Sequence, residues 1–128
     1  GAIEDYTKAI ELDPNYHRAF YNRGIAKGEL KDHKGAIEDY TKAIGINPDF
    51  AGAYYNRGIA KGRLKDHKGE IEDNTRAIEI NPDYAEAYYN RGVTYKYLNK
   101  MNNTCLDWNK AKELGYEKAD EMIQKYCK

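Results

Sequence analysis

Tyr21-Asn22-Arg23-Gly24, Tyr55-Asn56-Arg57-Gly58 and Tyr89-Asn90-Arg91-Gly92 repeat one tetrapeptide at an interval of 34 residues. Asp13-Pro14, Asn47-Pro48 and Asn81-Pro82 keep the same interval, as do Ala9, Ala43, Ala77 and Ala111. A fixed period between about 20 and 50 residues marks a protein built by stacking one small unit, too thin to bury a core alone.

Between these markers the pattern is helical. Ile3, Tyr6, Ala9 and Ile10 fall at helical spacing from Gly1 to Leu12, with Glu4 and Lys8 four apart in the favourable order. Asp13-Pro14-Asn15 ends that helix, because proline offers no amide and disfavours helix in the residue before it. A second helix is expected from about Tyr16 to Leu30. Asp32 is placed to cap a third, His33 to Ile46. The pair recurs from Ala51 to Ile80 with Asp66 as its cap, and about three quarters of the positions are identical between the two units, which indicates duplication. A third pair, Ala85 to Leu114, has drifted. The last helix, about Glu117 to Tyr126, follows Gly115, lacks the repeat pattern, and reads as a cap with a polar outer face.

The units resemble tetratricopeptide repeats. Unit one carries the pattern as Phe20, Arg23-Gly24, Lys27, Ala36, Tyr40 and Pro48. Unit two carries Tyr54, Arg57-Gly58, Lys61, Glu70, Asn74 and Pro82, and unit three Tyr88, Arg91-Gly92, Tyr95, Thr104, Trp108 and Ala111. Ala2, Tyr6 and Pro14 match the second helix of a preceding unit. The resemblance implies an all-α, right-handed superhelix. Its parts are a half repeat (1–14), three repeats (15–48, 49–82 and 83–115) and a capping helix (116–128).

This sequence departs from the family pattern in two ways. Arginine replaces the usual leucine beside each repeated glycine, and Asp39, Asp73 and Asp107 lie in the second helices. The arginines are expected to bury their stems and pair with carboxylates on a neighbouring second helix. Unit two also has Glu70 and Asn74 where the family has core residues, which costs stability unless they are paired. Two readings stay open: accommodation at a partly exposed edge with Lys61 or Arg57 as partner, or a weak point in the array.

By the resemblance, the first helices line the concave groove. Asn22, Asn56 and Asn90 fall at its ligand-facing position, similar to the asparagine ladder in the repeat domain of O-linked N-acetylglucosamine transferase. An asparagine offers both acceptor and donors to a peptide backbone. Tyr21, Tyr55 and Tyr89 precede them, and Ile25, Ile59 and Val93 lie one turn on, giving an expected apolar, tyrosine-edged floor. The family's clamp for a terminal carboxylate is not supported, since Tyr21, Gly52 and Glu86 hold its basic positions.

Cys105 lies ten residues before Gly115 and Cys127 twelve after it, so a helical hairpin brings them level. A disulfide and a contact between two reduced thiols both fit that placement. No CxxC spacing suggests zinc, and His33 and His67 match each other only through duplication, so no catalytic group, metal or cofactor is expected. Asn102-Asn103-Thr104 fits a glycosylation acceptor but begins a helix.

Acidic and basic residues balance at 21 each, which argues against nucleic acid as a partner. No apolar run approaches the roughly 18 residues of a membrane span and no signal-like segment opens the chain, so no membrane partner is expected and the compartment stays open. The expected function is non-catalytic binding of a protein or peptide in the groove. The competing expectations are self-association through Ile3, Tyr6 and Ile10 at the amino end, forming a homo-oligomer, or service as a regulatory piece of a larger enzyme.

Overall fold

Eight helices follow one another in the computed structural model, which describes all 128 residues. They are α1 (Ala2–Leu12), α2 (His17–Glu29), α3 (His33–Ile46), α4 (Ala51–Arg63), α5 (His67–Ile80), α6 (Ala85–Tyr97), α7 (Met101–Glu113) and α8 (Glu117–Tyr126). Each packs on the helices before and after it, and α2 also touches α4. This is an α-solenoid, in which stability adds up from neighbour contacts alone.

Local chemistry sets the joints. Asp32 and Asp66 each accept a hydrogen bond from the amide three residues on, at 3.0 Å, and cap α3 and α5. The second helix of each unit ends at Asp13, Asn47 or Asn81, whose extended backbone suits the proline that follows. Their side chains accept from the amide two residues on, at 3.1, 3.3 and 3.2 Å, which tightens the turn. Within each pair the turn passes through Lys31, Lys65 or Asn99 with φ of 66°, 67° and 62°. Asparagine tolerates that left-handed geometry, whereas each lysine carries about 1 kcal/mol of strain.

The core is a row of small clusters. Phe20, Ala43 and Ala53 form one, Ala36, Tyr40 and Ala60 the next, Ala77, Ile78 and Ala87 a third, and Tyr89, Trp108, Ala111 and Ala119 the last. Buried alanines recur because helices crossing closely leave room for little else. The capping helix α8 buries Ala119 and turns Glu117, Lys118, Glu121, Gln124 and Lys125 outward. Lys112 reaches Asp120 at 2.9 Å and holds its carboxyl below the usual range.

Candidate functional site

The repeated tetrapeptide lies on the first helices α2, α4 and α6, and its arginine is the main joint between repeats. Arg23 donates from Nε and Nη2 to the two carboxylate oxygens of Asp39, both at 2.8 Å, and from Nη1 to Thr7 at 3.2 Å. Arg57 does the same with Asp73 and Thr41, and Arg91 with Asp107 and Thr75. Each guanidinium therefore ties its own helix to the second helix of its repeat and to that of the repeat before. The fork of donors fits a carboxylate in two places, which a lysine could not do. An aromatic one turn earlier, Phe20, Tyr54 or Tyr88, lies 5.4 to 5.7 Å from the guanidinium carbon. Hydrogen bonding to the aspartates raises the pKa of all three arginines above its ordinary value.

Glycine and tyrosine have structural duties as well. A Cβ on Gly24 or Gly92 would lie 2.7 Å from the ring of Tyr40 or Trp108, so these aromatics seat directly on glycine. Asn56 Nδ2 donates to Tyr21 Oη at 2.8 Å and to the Gly52 carbonyl at 3.1 Å, and Asn90 Nδ2 donates to Tyr55 Oη at 2.7 Å. Tyr21 packs on Tyr40 and Phe50, and Tyr55 on Tyr84. Burial raises the Tyr21 pKa, and burial together with Glu86 pushes Tyr55 up to about 12, so both stay neutral donors and acceptors at physiological pH.

These contacts narrow the expected groove. Asn56 has both amide protons engaged, so its free capacity toward a ligand is the carbonyl oxygen and not the two-way grip expected from the residue type. Tyr89 does not edge a floor: it is 7% exposed and packs on Trp108 and Tyr116. The tyrosines serve the stacking of repeats, because a ring between two units buries more surface there than at a rim. Asn22, partly buried, lies outside the tyrosine–asparagine series.

Two hollows open on the first-helix face at the junctions between full repeats, apart from one between α1 and α2. The first, about 260 Å³, gathers Ile25, Asn56 and Ile59 with His33 and Arg63. The second, about 340 Å³, gathers Ile59, Asn90 and Val93 with His67, Glu70 and Thr94. Gly52 sits close beneath Tyr21, since a Cβ there would stand 3.2 Å from its Oη, a tight contact for any larger residue.

The second junction corrects one expectation. Lys61 and Arg57 do not serve Glu70 or Asn74; they hold Asp73 at 3.1 and 2.8 Å. Glu70 instead accepts from Thr94 Oγ1 on α6 at 2.9 Å, with His67 Nδ1 3.9 Å away. Burial raises its pKa above the ordinary carboxylate value. Asn74 lies at no exposed edge: it is fully buried, and neither side-chain polar atom has a partner. The sequence held a signal for the Glu70 contact, since Thr94 replaces the Ala60 of the unit before, but nothing in it fixed which side chains would meet.

The remaining singled-out residues lie elsewhere. Cys105 and Cys127 are joined by a disulfide, with Cα atoms 5.8 Å apart, linking α7 to the end of α8. In the Asn102-Asn103-Thr104 triplet both asparagines are exposed, whereas Thr104 is buried and donates to the Gly92 carbonyl at 2.9 Å. Ile10 packs against the Phe20 cluster, and Ile3 and Tyr6 are partly buried. No helix is long and apolar enough to cross a membrane.

Sequence profiles described as tetratricopeptide repeat match residues 17–50, 51–84 and 85–114, and one described as TPR repeat matches 1–31 and 71–98. The chain belongs to the tetratricopeptide-repeat family, whose repeats are protein-interaction modules. Among solved structures it is similar to a crystal structure of MamA, with a TM-score of 0.85 and 28% identity over 90% of this chain and 67% of that one. A second MamA crystal structure gives a TM-score of 0.81 and 28% identity over 98% and 66% of the two chains. A MamA chain from Desulfovibrio magneticus RS-1 gives 0.81 and 22% identity over 88% and 63%, a likeness of fold alone. The present chain thus spans about two thirds of the length of those proteins. None of the curated proteins matches it in sequence.

Proposed function

We propose that this repeat domain is a non-catalytic scaffold that binds an extended peptide or protein segment along the face built by α2, α4 and α6. The observation that carries the reading is the pair of successive hollows. Each is lined by one repeat-position asparagine and two of the three aliphatic residues Ile25, Ile59 and Val93. Contacting helices lie about 8–10 Å apart, and a polyproline II chain rises about 3.1 Å per residue with about three residues per turn. A peptide crossing the face in that form therefore presents a side chain to successive hollows roughly every third residue, while the asparagines accept from its backbone amides. Backbone recognition gives affinity with little sequence demand, and the hollows supply the selection.

The test is selection of a displayed random peptide library on the domain, followed by titration of the selected peptides against single alanine variants. Asn22→Ala, Asn56→Ala and Asn90→Ala should each weaken binding by roughly three- to tenfold, the worth of one net hydrogen bond. Asn22→Ala should do so without moving the melting curve, since Asn22 is outside the inter-repeat ties. Peptides bound equally by all three variants would remove the asparagines from the site, and failure to select any peptide would remove the groove.

A further inference from the structure

The two hollows come from nearly identical repeats, yet their linings differ in kind. Glu29, Ala36 and Tyr40 of the first unit correspond to Arg63, Glu70 and Asn74 of the second, and across the junction Ala60 corresponds to Thr94. The apolar cluster Ala36–Tyr40–Ala60 thus has polar equivalents throughout at Glu70, Asn74 and Thr94. Glu70 and Thr94 lie on different repeats and bond to each other at 2.9 Å. The Glu70 carboxylate is seated against Gly62, where a Cβ would lie 2.5 Å from it, and it lines the hollow beside Ile59, Asn90 and Val93.

That carboxylate is incompletely served. Its side chain is 15% exposed, and a charge at such depth calls for a cation or several donors. It has the Thr94 hydroxyl and a His67 ring nitrogen at 3.9 Å. The nearby cations Arg57 and Lys61 are committed to Asp73, and Arg63, which lines the hollow, favours the ionised Glu70 only from beyond ion-pair distance. On the outer side, the rings of His67 and Tyr97 stand 4.4 Å apart, and Tyr97 is well exposed, offering an aromatic face to a positive group.

We infer that the hollow between the second and third repeats takes one basic side chain, lysine or arginine, of the bound segment, its cation on Glu70 and its stem along Ile59 and Val93. The first hollow also has a carboxylate, that of Glu29, but Glu29 is exposed to water and Ala36 stands at the place of Glu70, so with no sunken charge to pair the hollow takes an uncharged side chain. Arg63 lies between the two hollows and disfavours a second cation. This assignment rests on the groove reading above and names what that groove selects.

The experiment is library selection on wild type and on Glu70→Ala, which restores the residue of the first repeat and so does not endanger folding. Peptides selected on wild type should share one lysine or arginine position, absent from those selected on Glu70→Ala. Replacing that residue by norleucine in a synthesised winner should weaken binding to wild type roughly tenfold, as for a charge-assisted hydrogen bond, and to Glu70→Ala less than twofold. Arg63→Ala should strengthen the lysine peptide. Peptides that bind and depend on Asn56 but show no basic position would overturn this inference and leave the groove standing. Failure to select any peptide would overturn both.

Discussion

The hydroxyl of Thr94 donates to the carboxylate of Glu70 at 2.9 Å, joining the second repeat to the third where the corresponding Ala60 and Ala36 share an apolar cluster. At this level one junction is closed by methyl groups and a tyrosine ring, whereas the other, beside its Ala77–Ile78–Ala87 cluster, holds a half-served charge and the orphaned amide of Asn74. The second junction should therefore be the weaker one and open first; amides of the second repeat protected from hydrogen exchange as well as those of the first would contradict this.

Restoring the first repeat's residues should strengthen it. Glu70→Ala combined with Asn74→Tyr removes a buried unpaired amide and a poorly solvated carboxylate, and should raise the unfolding free energy by about 1–3 kcal/mol. The ring has its seat, since Gly58 occupies the place that Gly24 holds beneath Tyr40. Urea unfolding is the measurement, and an unchanged or lower midpoint would contradict the account.

The arginine joints should differ in the cost of breaking them. Asp39 and Asp73 each have a second cation, Lys27 at 3.2 Å and Lys61 at 3.1 Å, whereas Asp107 has Arg91 alone because Tyr95 stands where the lysine would be. Removing one partner of a buried pair strands the other. Arg91→Ala should cost about 3 kcal/mol or more, and Arg57→Ala clearly less, since Lys61 still faces Asp73. Equal losses in thermal or urea unfolding would show that the lysines do nothing for the aspartates.

Glu70 should make stability depend on pH. Burial raises its pKa in the folded protein above the ordinary 4.5, so folding favours the protonated form. That contribution is full below the unfolded value and is lost as pH rises through the folded one. The stability advantage of Glu70→Gln over wild type should therefore grow as pH is raised from about 4 to about 7. An advantage that stays constant over that range would mean the carboxylate is fully solvated.

Cys105 and Cys127 give a fourth measurement. The bond closes a separation of 22 residues and fixes α8 to α7, a constraint worth about 3 kcal/mol on loop entropy. Mass analysis of the unreduced protein should show no alkylated thiol, and reduction should add two and lower the melting temperature. Two labelled thiols before reduction would show that the pair is in contact only.

The sequence by itself determined the helices, their ends and their order. Proline after Asp13, Asn47 and Asn81, the caps at Asp32 and Asp66, and the alanines at the crossings act within a few residues, where spacing is enough. It also announced that the arginines would seek carboxylates, because a guanidinium beside a close-packed glycine has no cheap alternative. Only the tertiary structure decided the partners. Asn56 meets Tyr21 and Asn90 meets Tyr55, 35 residues apart, and Glu70 meets Thr94 and not Lys61. A period places equivalent residues in a row, but which side chains touch depends on how far each unit is rotated on the last. That rotation comes from packing across the junction and is written at no single position.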